Sequence, residues 1–189
     1  GLIALELEEG NTLVGAAFTD GHCDIQLTSS SGKAARFKES DVRAMGRTAR
    51  GVRGIRLTGN HRVISLIIPA SDGYVLCASE NGFGKRTPVA EFPVKGRGTQ
   101  GVIAMQTSSR NGALVGAVQV FPGDEMMLIS NRGTLVRTSV DEVSTQGRNT
   151  QGVRLIKLRG DERLVGVERI VETIVETEAD SEDPDSEQS

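Results

Sequence analysis

The residues of this chain best suited to chemistry are arginines set beside glycines. Gly46-Arg47-Thr48-Ala49-Arg50-Gly51 returns as Gly96-Arg97-Gly98-Thr99-Gln100-Gly101 and again as Gly147-Arg148-Asn149-Thr150-Gln151-Gly152. Glycine leaves backbone N–H groups uncovered, and a guanidinium is a planar fork that grips phosphate through two hydrogen bonds. Copies in register therefore suit a long anion. The candidate contacts are Lys33, Arg36, Lys38, Arg43, Arg47, Arg50 and Arg53 in the first module. Lys85, Arg86, Lys95 and Arg97 follow in the second, and Arg132, Arg137, Arg148 and Arg154 in the third. Aromatic residues are nearly absent from these loops, which argues against base stacking and favours a duplex backbone as ligand.

Catalytic chemistry finds no comparable constellation. Gly32-Lys33 and Gly84-Lys85 resemble the end of a phosphate-binding loop, but Ala34 and Arg86 stand where Ser or Thr must reach a metal. His22 and His61 fall in turns at unmatched positions, so they form neither a metal cluster nor a dyad and read as surface residues. Tyr74 opens a strand with no acidic cluster beside it and reads as a core or rim residue. Cys23 and Cys77 are isolated thiols without metal spacing, expected to be reduced. No catalytic residue, metal or cofactor is expected in the chain.

The loops are held by a repeat. They start 50 and then 51 residues apart, and each ends 19 residues beyond another glycine: Gly32 to Gly51, Gly82 to Gly101 and Gly133 to Gly152. Repeats of this length are supersecondary units that bury their apolar faces against neighbours. The alternation in Leu2–Leu7, Thr12–Phe18, Cys23–Thr28 and Lys33–Phe37 predicts four strands in the first module. The second predicts Val52–Leu57, Arg62–Pro69, Tyr74–Ser79 and Gly84–Thr87, and the third Val102–Thr107, Ala113–Val120, Met126–Ser130 and Thr134–Thr138. A partial fourth adds Val153–Leu158 and Arg163–Ile170. Lys38–Met45 allows one or two helical turns capped by Ser40 or Asp41. Four-stranded units without long helices predict an all-β, propeller-like partial ring of about three to four blades. The modules run 1–50, 51–100, 101–151 and 152–170.

Charge separates a body from a tail. Residues 1–170 hold all 22 Lys and Arg against 17 acids, whereas residues 171–189 carry eight acids and no base. A basic body with an acidic end suits a protein that meets polyanions. The tail is expected to be disordered and to compete with DNA for the basic rim. No apolar stretch approaches the ~20 residues of a membrane span, and no leader is recognisable, so a soluble cytoplasmic protein without membrane contact is expected. Beginning without Met, at a glycine in the place of Gly51, the chain is expected to be cut from a larger protein.

Three runs together resemble the C-terminal domain of the bacterial DNA gyrase A protein. They are Val42–Arg47 continuing through Arg50–Ile55, Asn81–Thr87, and Gly147–Val153. The resemblance implies a β-pinwheel, a ring whose blades trade strands, with duplex DNA bent around a basic rim. It implies that the parent type II topoisomerase, with its own ATP and Mg²⁺, uses the wrap to introduce negative supercoils. The partners it implies are double-stranded DNA, the remainder of the gyrase A protein and the gyrase B protein. The family's Gln-Arg-Arg-Gly-Gly-Lys-Gly box is absent, and Gln146–Gly152 is a relative of it with one basic residue. The alternatives are the equivalent domain of topoisomerase IV and a propeller-type protein-interaction module.

Overall fold

The structure, a computed structural model, describes residues 1–171. The acidic end from Glu172, and the expectation of a disordered, competing tail, lie outside the described residues. The described residues form eleven strands: β1 Asp24–Ser29, β2 Lys33–Lys38, β3 Val63–Ile67, β4 Tyr74–Ser79, β5 Phe83–Pro88, β6 Val102–Ile103, β7 Leu114–Val120, β8 Glu125–Ser130, β9 Leu135–Ser139, β10 Val153–Arg154 and β11 Leu164–Ile170. They make three antiparallel sheets, ordered β3-β1-β2-β6, β10-β5-β4-β7 and β11-β8-β9. The all-β, blade-like expectation is met.

Each sheet is assembled from several stretches of the chain. Its centre is a local hairpin, such as β1–β2, closed at the positive-φ Gly32, where an L side chain would be strained. One flank is the first long strand after the next loop, so β3 pairs with β1 and β7 with β4. In the first two sheets the other flank is a two-residue strand that returns from farther on: β6 reaches β2 through Lys33↔Ile103, and β10 reaches β5 through Arg154↔Phe83, whereas the third sheet has three strands among the described residues. The four strands of either of these sheets are thus not four successive strands of one fifty-residue module.

This topology explains where the predicted strands fail. Leu2–Leu7 and Thr12–Phe18 form no strand, because flanking segments need an earlier hairpin to pair with and the described chain contains none for them. Leu2, Ile3, Leu13 and Phe18 are exposed in consequence. Val52–Leu57 keeps a single bridge, Ile55↔Thr99. The longer runs expected at Val102–Thr107 and Val153–Leu158 shrink to the two residues that reach a hairpin edge. The helical turn after β2 is a 3₁₀ turn, Glu39–Asp41, with equivalents at Val89–Glu91 and Val140–Glu142. Ser40 and Asp41 lie within the turn instead of capping it, and Lys38 makes no side-chain cap.

Period two along β4 sets the core. Val75 and Cys77 join Ala34, Ile67, Phe92 and Met105 in one cluster shared with the first sheet. Leu76 and Ala78 join Met126, Leu128, Val140 and Val167 in a second, shared with the third sheet. The middle sheet is therefore buried on both faces, which is why Val75–Ala78 is an unbroken apolar run. Both cysteines are free. Burial pushes the Cys77 thiol up to about 12. Among the described residues no helix is long and apolar enough to cross a membrane.

Candidate nucleic-acid interface

The three glycine-arginine loops connect each 3₁₀ turn to a crossing segment, and two of them land on a neighbouring hairpin. In loop 2, Gly96–Gly101, the approach is made by Lys95 N–H, which donates to Arg36 O at 2.8 Å. Gly98 N–H donates to Gly54 O at 2.5 Å, and Arg56 N–H to Thr99 O at 2.7 Å. Loop 3, Gly147–Gly152, repeats the landing one hairpin on. Gln146 N–H donates to Arg86 O at 2.9 Å, and Gln106 N–H to Thr150 O at 2.9 Å. The last glycine of each loop is forced by this approach. A Cβ on Gly101 would stand 2.3 Å from Ala34 O, and one on Gly152 2.6 Å from Gly84 O, both at φ near +74°. Loop 1, Gly46–Gly51, has no hairpin beneath it among the described residues, and a Cβ on Gly51 would meet nothing within 4 Å.

The loop arginines follow the same division. Arg97 donates from Nε to Asp41 O at 2.9 Å and from Nη1 to Arg53 O at 3.3 Å. Arg148 donates from Nη1 to Ile103 O at 3.0 Å, the position that corresponds to Arg53. Each guanidinium pins the crossing segment and keeps further N–H donors, since it carries five. Arg47, in loop 1, makes no ion pair among the described residues, and Arg50 pairs with Glu6 at 3.0 Å and Glu8 at 3.6 Å.

Lys85 overturns one expectation. It is fully buried, so no phosphate reaches it. Its ammonium donates to Arg148 O at 2.6 Å and to Gly147 O, tying loop 3 down from beneath. Burial pulls its pKa down to about 8. The corresponding positions in the other modules are Ala35 and Val136, so the sheet itself does not require a lysine there. Glu91 holds the opposite side of the loop, accepting Arg148 N–H at 3.3 Å.

Arg36 and Arg86 are likewise drawn into structure. Arg36 pairs with Asp24 at 2.8 Å and donates to Val89 O and Phe92 O, with its side chain 16% exposed. Arg86 pairs with Asp141 at 2.8 Å, lies over Tyr74 and is 14% exposed. The hydrogen bond from Arg86, helped by Gly123 N–H, holds the Asp141 carboxyl below its usual range. Arg137 pairs with Glu125, and Arg132 with Asp161, at the surface. Lys38, Arg43, Arg47, Arg53, Lys95 and Arg154 are exposed, and Lys33 is half-buried. None of these seven pairs with a carboxylate among the described residues.

The histidines are exposed as expected, with His61 Nδ1 at 3.1 Å from Ser30 Oγ. Asp20, Cys23 and Glu39 converge, but they bond one another and local backbone: Cys23 Sγ donates to Asp20 at 3.2 Å and Gly21 N–H to Glu39 at 3.0 Å. Sequence reasoning missed Arg110. It lies in a run, Arg110-Asn111-Gly112, whose residue types signal a turn and nothing more, and its guanidinium stands over Phe83.

Comparison with known proteins places this geometry among relatives. A family model described as DNA gyrase C-terminal domain, beta-propeller, matches residues 27–70, 73–120 and 124–170. The DNA gyrase A protein of Pseudomonas aeruginosa is 64% identical over 172 residues, 91% of this chain and 19% of that protein. Its Escherichia coli counterpart is 51% identical over 183 residues, 97% of this chain and 21% of that protein. The chain thus spans about a fifth of the length of these relatives. A solved DNA gyrase A C-terminal domain superposes with a TM-score of 0.82 at 28% identity, covering 90% of this chain and 58% of that one. The C-terminal domain of a DNA topoisomerase IV, at 22% identity, shares the fold with a TM-score of 0.83, covering 88% of this chain and 52% of that one.

Proposed function

The chain belongs to the DNA gyrase C-terminal domain family, and from that premise we propose that it binds duplex DNA through its phosphates, independently of base sequence, and bends it. The observation that carries this reading is the equivalence of loops 2 and 3. In consecutive modules an arginine is braced on the same carbonyl position, Arg53 O or Ile103 O, with donors to spare. Two like sites one module apart, with Lys33, Lys38, Arg43, Lys95 and Arg154 as further cations, neutralise phosphates along a curved edge. Affinity then comes from counterion release, and the added contacts offset the ~1–6 kcal/mol of smooth bending.

In this reading the chain contributes no catalytic group and holds no cofactor. Strand passage, ATP and Mg²⁺ belong to the remainder of a gyrase A protein and to its gyrase B partner, in the cytoplasm. The test is a titration of random duplex at several salt concentrations. Log affinity should fall linearly with log salt at about −0.9 per neutralised phosphate. A salt-independent affinity, or one that follows base sequence, would overturn the reading.

A further inference from the structure

Beside loop 3 lies a second gathering of positive charge that the repeat does not share. Phe83, first residue of β5 and 4% exposed, carries two guanidinium groups on its ring: Arg110 at 4.8 Å and Arg154 at 5.3 Å from the centroid. Arg154 is brought there by its pairing with Phe83 across β10 and β5. Neither guanidinium has a carboxylate or a hydrogen-bond acceptor among the described residues. Arg163 lines the same groove, of about 270 Å³, with Nη1 on Glu162 O at 2.9 Å. The groove's carboxylate, Glu162, is turned into the fold. It accepts Ser130 Oγ at 2.6 Å, Thr134 Oγ1 at 2.7 Å and Arg159 N–H at 3.2 Å.

Like charges collected in one groove, whose lining carboxylate Glu162 is engaged by Ser130, Thr134 and Arg159, repel one another. A ring within cation–π distance of both holds them in place and takes none of their N–H donors, which stay available to a planar or tetrahedral oxyanion. The positions that correspond to Phe83 are Lys33 and Thr134, and one of those that correspond to Arg154 is Ile103, so the arrangement occurs at one blade. It is also continuous with loop 3. Asn111, next to Arg110, donates from Nδ2 to Gln151 O at 3.2 Å, and Ser108 Oγ donates to Gln151 Oε1 at 3.3 Å.

We propose that Arg110 and Arg154, set on Phe83, form a clamp for one phosphodiester of duplex DNA as the backbone leaves loop 3. The proposal rests on the duplex-binding reading above and assigns it a contact outside the glycine-arginine loops. The test uses the whole chain with a random duplex from ~50 to ~200 mM salt, beside the Arg148→Ala variant. Arg110→Ala/Arg154→Ala should bind more weakly and flatten the log–log slope by about 0.9, one phosphate. Arg110→Lys/Arg154→Lys keeps the charge and loses the stacked fork, so it should restore the slope while leaving affinity reduced. Its retained charge and stem also keep the test readable if the double alanine variant fails to fold.

An unchanged slope in Arg110→Ala/Arg154→Ala, or an unreduced affinity in Arg110→Lys/Arg154→Lys, with Arg148→Ala still flattening the slope, overturns the clamp and leaves the duplex reading standing. Duplex binding by the parent chain that is absent or salt-independent overturns both. Inorganic phosphate is the second arm. If it shifts the Arg110 and Arg154 side-chain resonances and duplex does not displace it, the groove serves a free anion and the clamp is overturned.

Discussion

Loop 1 and loop 3 carry nearly the same sequence and end in different physical situations. Both begin Gly-Arg, both end in a glycine at positive φ, and both lead into Val and Arg. Loop 3 lies across the β4–β5 hairpin, held by Lys85, Thr87, Arg86 O and Glu91. Loop 1 meets the largely exposed residues 1–8 and two surface carboxylates. The glycine signature therefore encodes a crossing, and its order comes from the hairpin on which it lands. Where that hairpin is absent, the same residues form an exposed loop.

The two loops should differ most in steric tolerance. Gly152→Ala adds left-handed strain and drives a Cβ into Gly84 O, so it should lower stability by about 2–5 kcal/mol. Gly51→Ala meets no neighbour and should cost about 1–2 kcal/mol. Urea midpoints decide it, and equal losses would mean that the landing of Gly152 on Gly84 O adds no constraint. The next effect is on binding. Replacing Arg47, Arg97 and Arg148 together by Ala should flatten the salt slope for random duplex by about 2.7 if each arginine holds one phosphate. Singly, Arg97→Ala and Arg148→Ala should also speed amide exchange in the crossing segments they brace, whereas Arg47→Ala should not.

A smaller effect concerns the lysine beneath loop 3. Lys85→Met removes two hydrogen bonds from a charged donor and also removes the burial of that charge. These effects oppose, so the net change near pH 7 should stay within about 2 kcal/mol. The folded pKa of about 8 lies below the ordinary 10.5. Between those values the unfolded chain holds a proton that the fold has released, so parent stability relative to Lys85→Met rises with pH across that window. Below about 8 the cost of burying the charge is fully present. A stability difference that is flat from pH 8 to 10.5 would mean that the ammonium sits in water. Least of all, Arg132→Ala should change stability by about 0–1 kcal/mol, because its pair with Asp161 is solvated.

The hairpins are legible in the sequence because their signals are local. Asn81-Gly82 between two β-rich runs specifies a turn and its register, and β4 begins and ends where the alternation places it. The flanking strands are legible as strands but not as partners, since nothing in Val102–Ile103 names Ala34 as its neighbour across about seventy residues. Residue type likewise marks the cations without sorting them. Lys85 and Lys95 look alike in sequence, and only the repeat offers a hint, through Ala35 and Val136 at the position that turns inward. Arg36 and Arg86 look free in the sequence because their carboxylates, Asp24 and Asp141, lie 12 and 55 residues away. Arg110 carries no signal of its own there, because its partner ring belongs to a strand of another hairpin.

The two-residue strands that return from farther along the chain also set a timetable for synthesis. The first sheet cannot close until Ile103 has left the ribosome, although its hairpin edge was made at Lys33, and the second waits from Phe83 to Arg154. At ~5–20 residues per second, each hairpin presents an unpaired edge for about 4–14 s before its cover arrives. Nascent chains on neighbouring ribosomes pass through that interval together, and any Val-rich segment that arrives early can take the vacant edge.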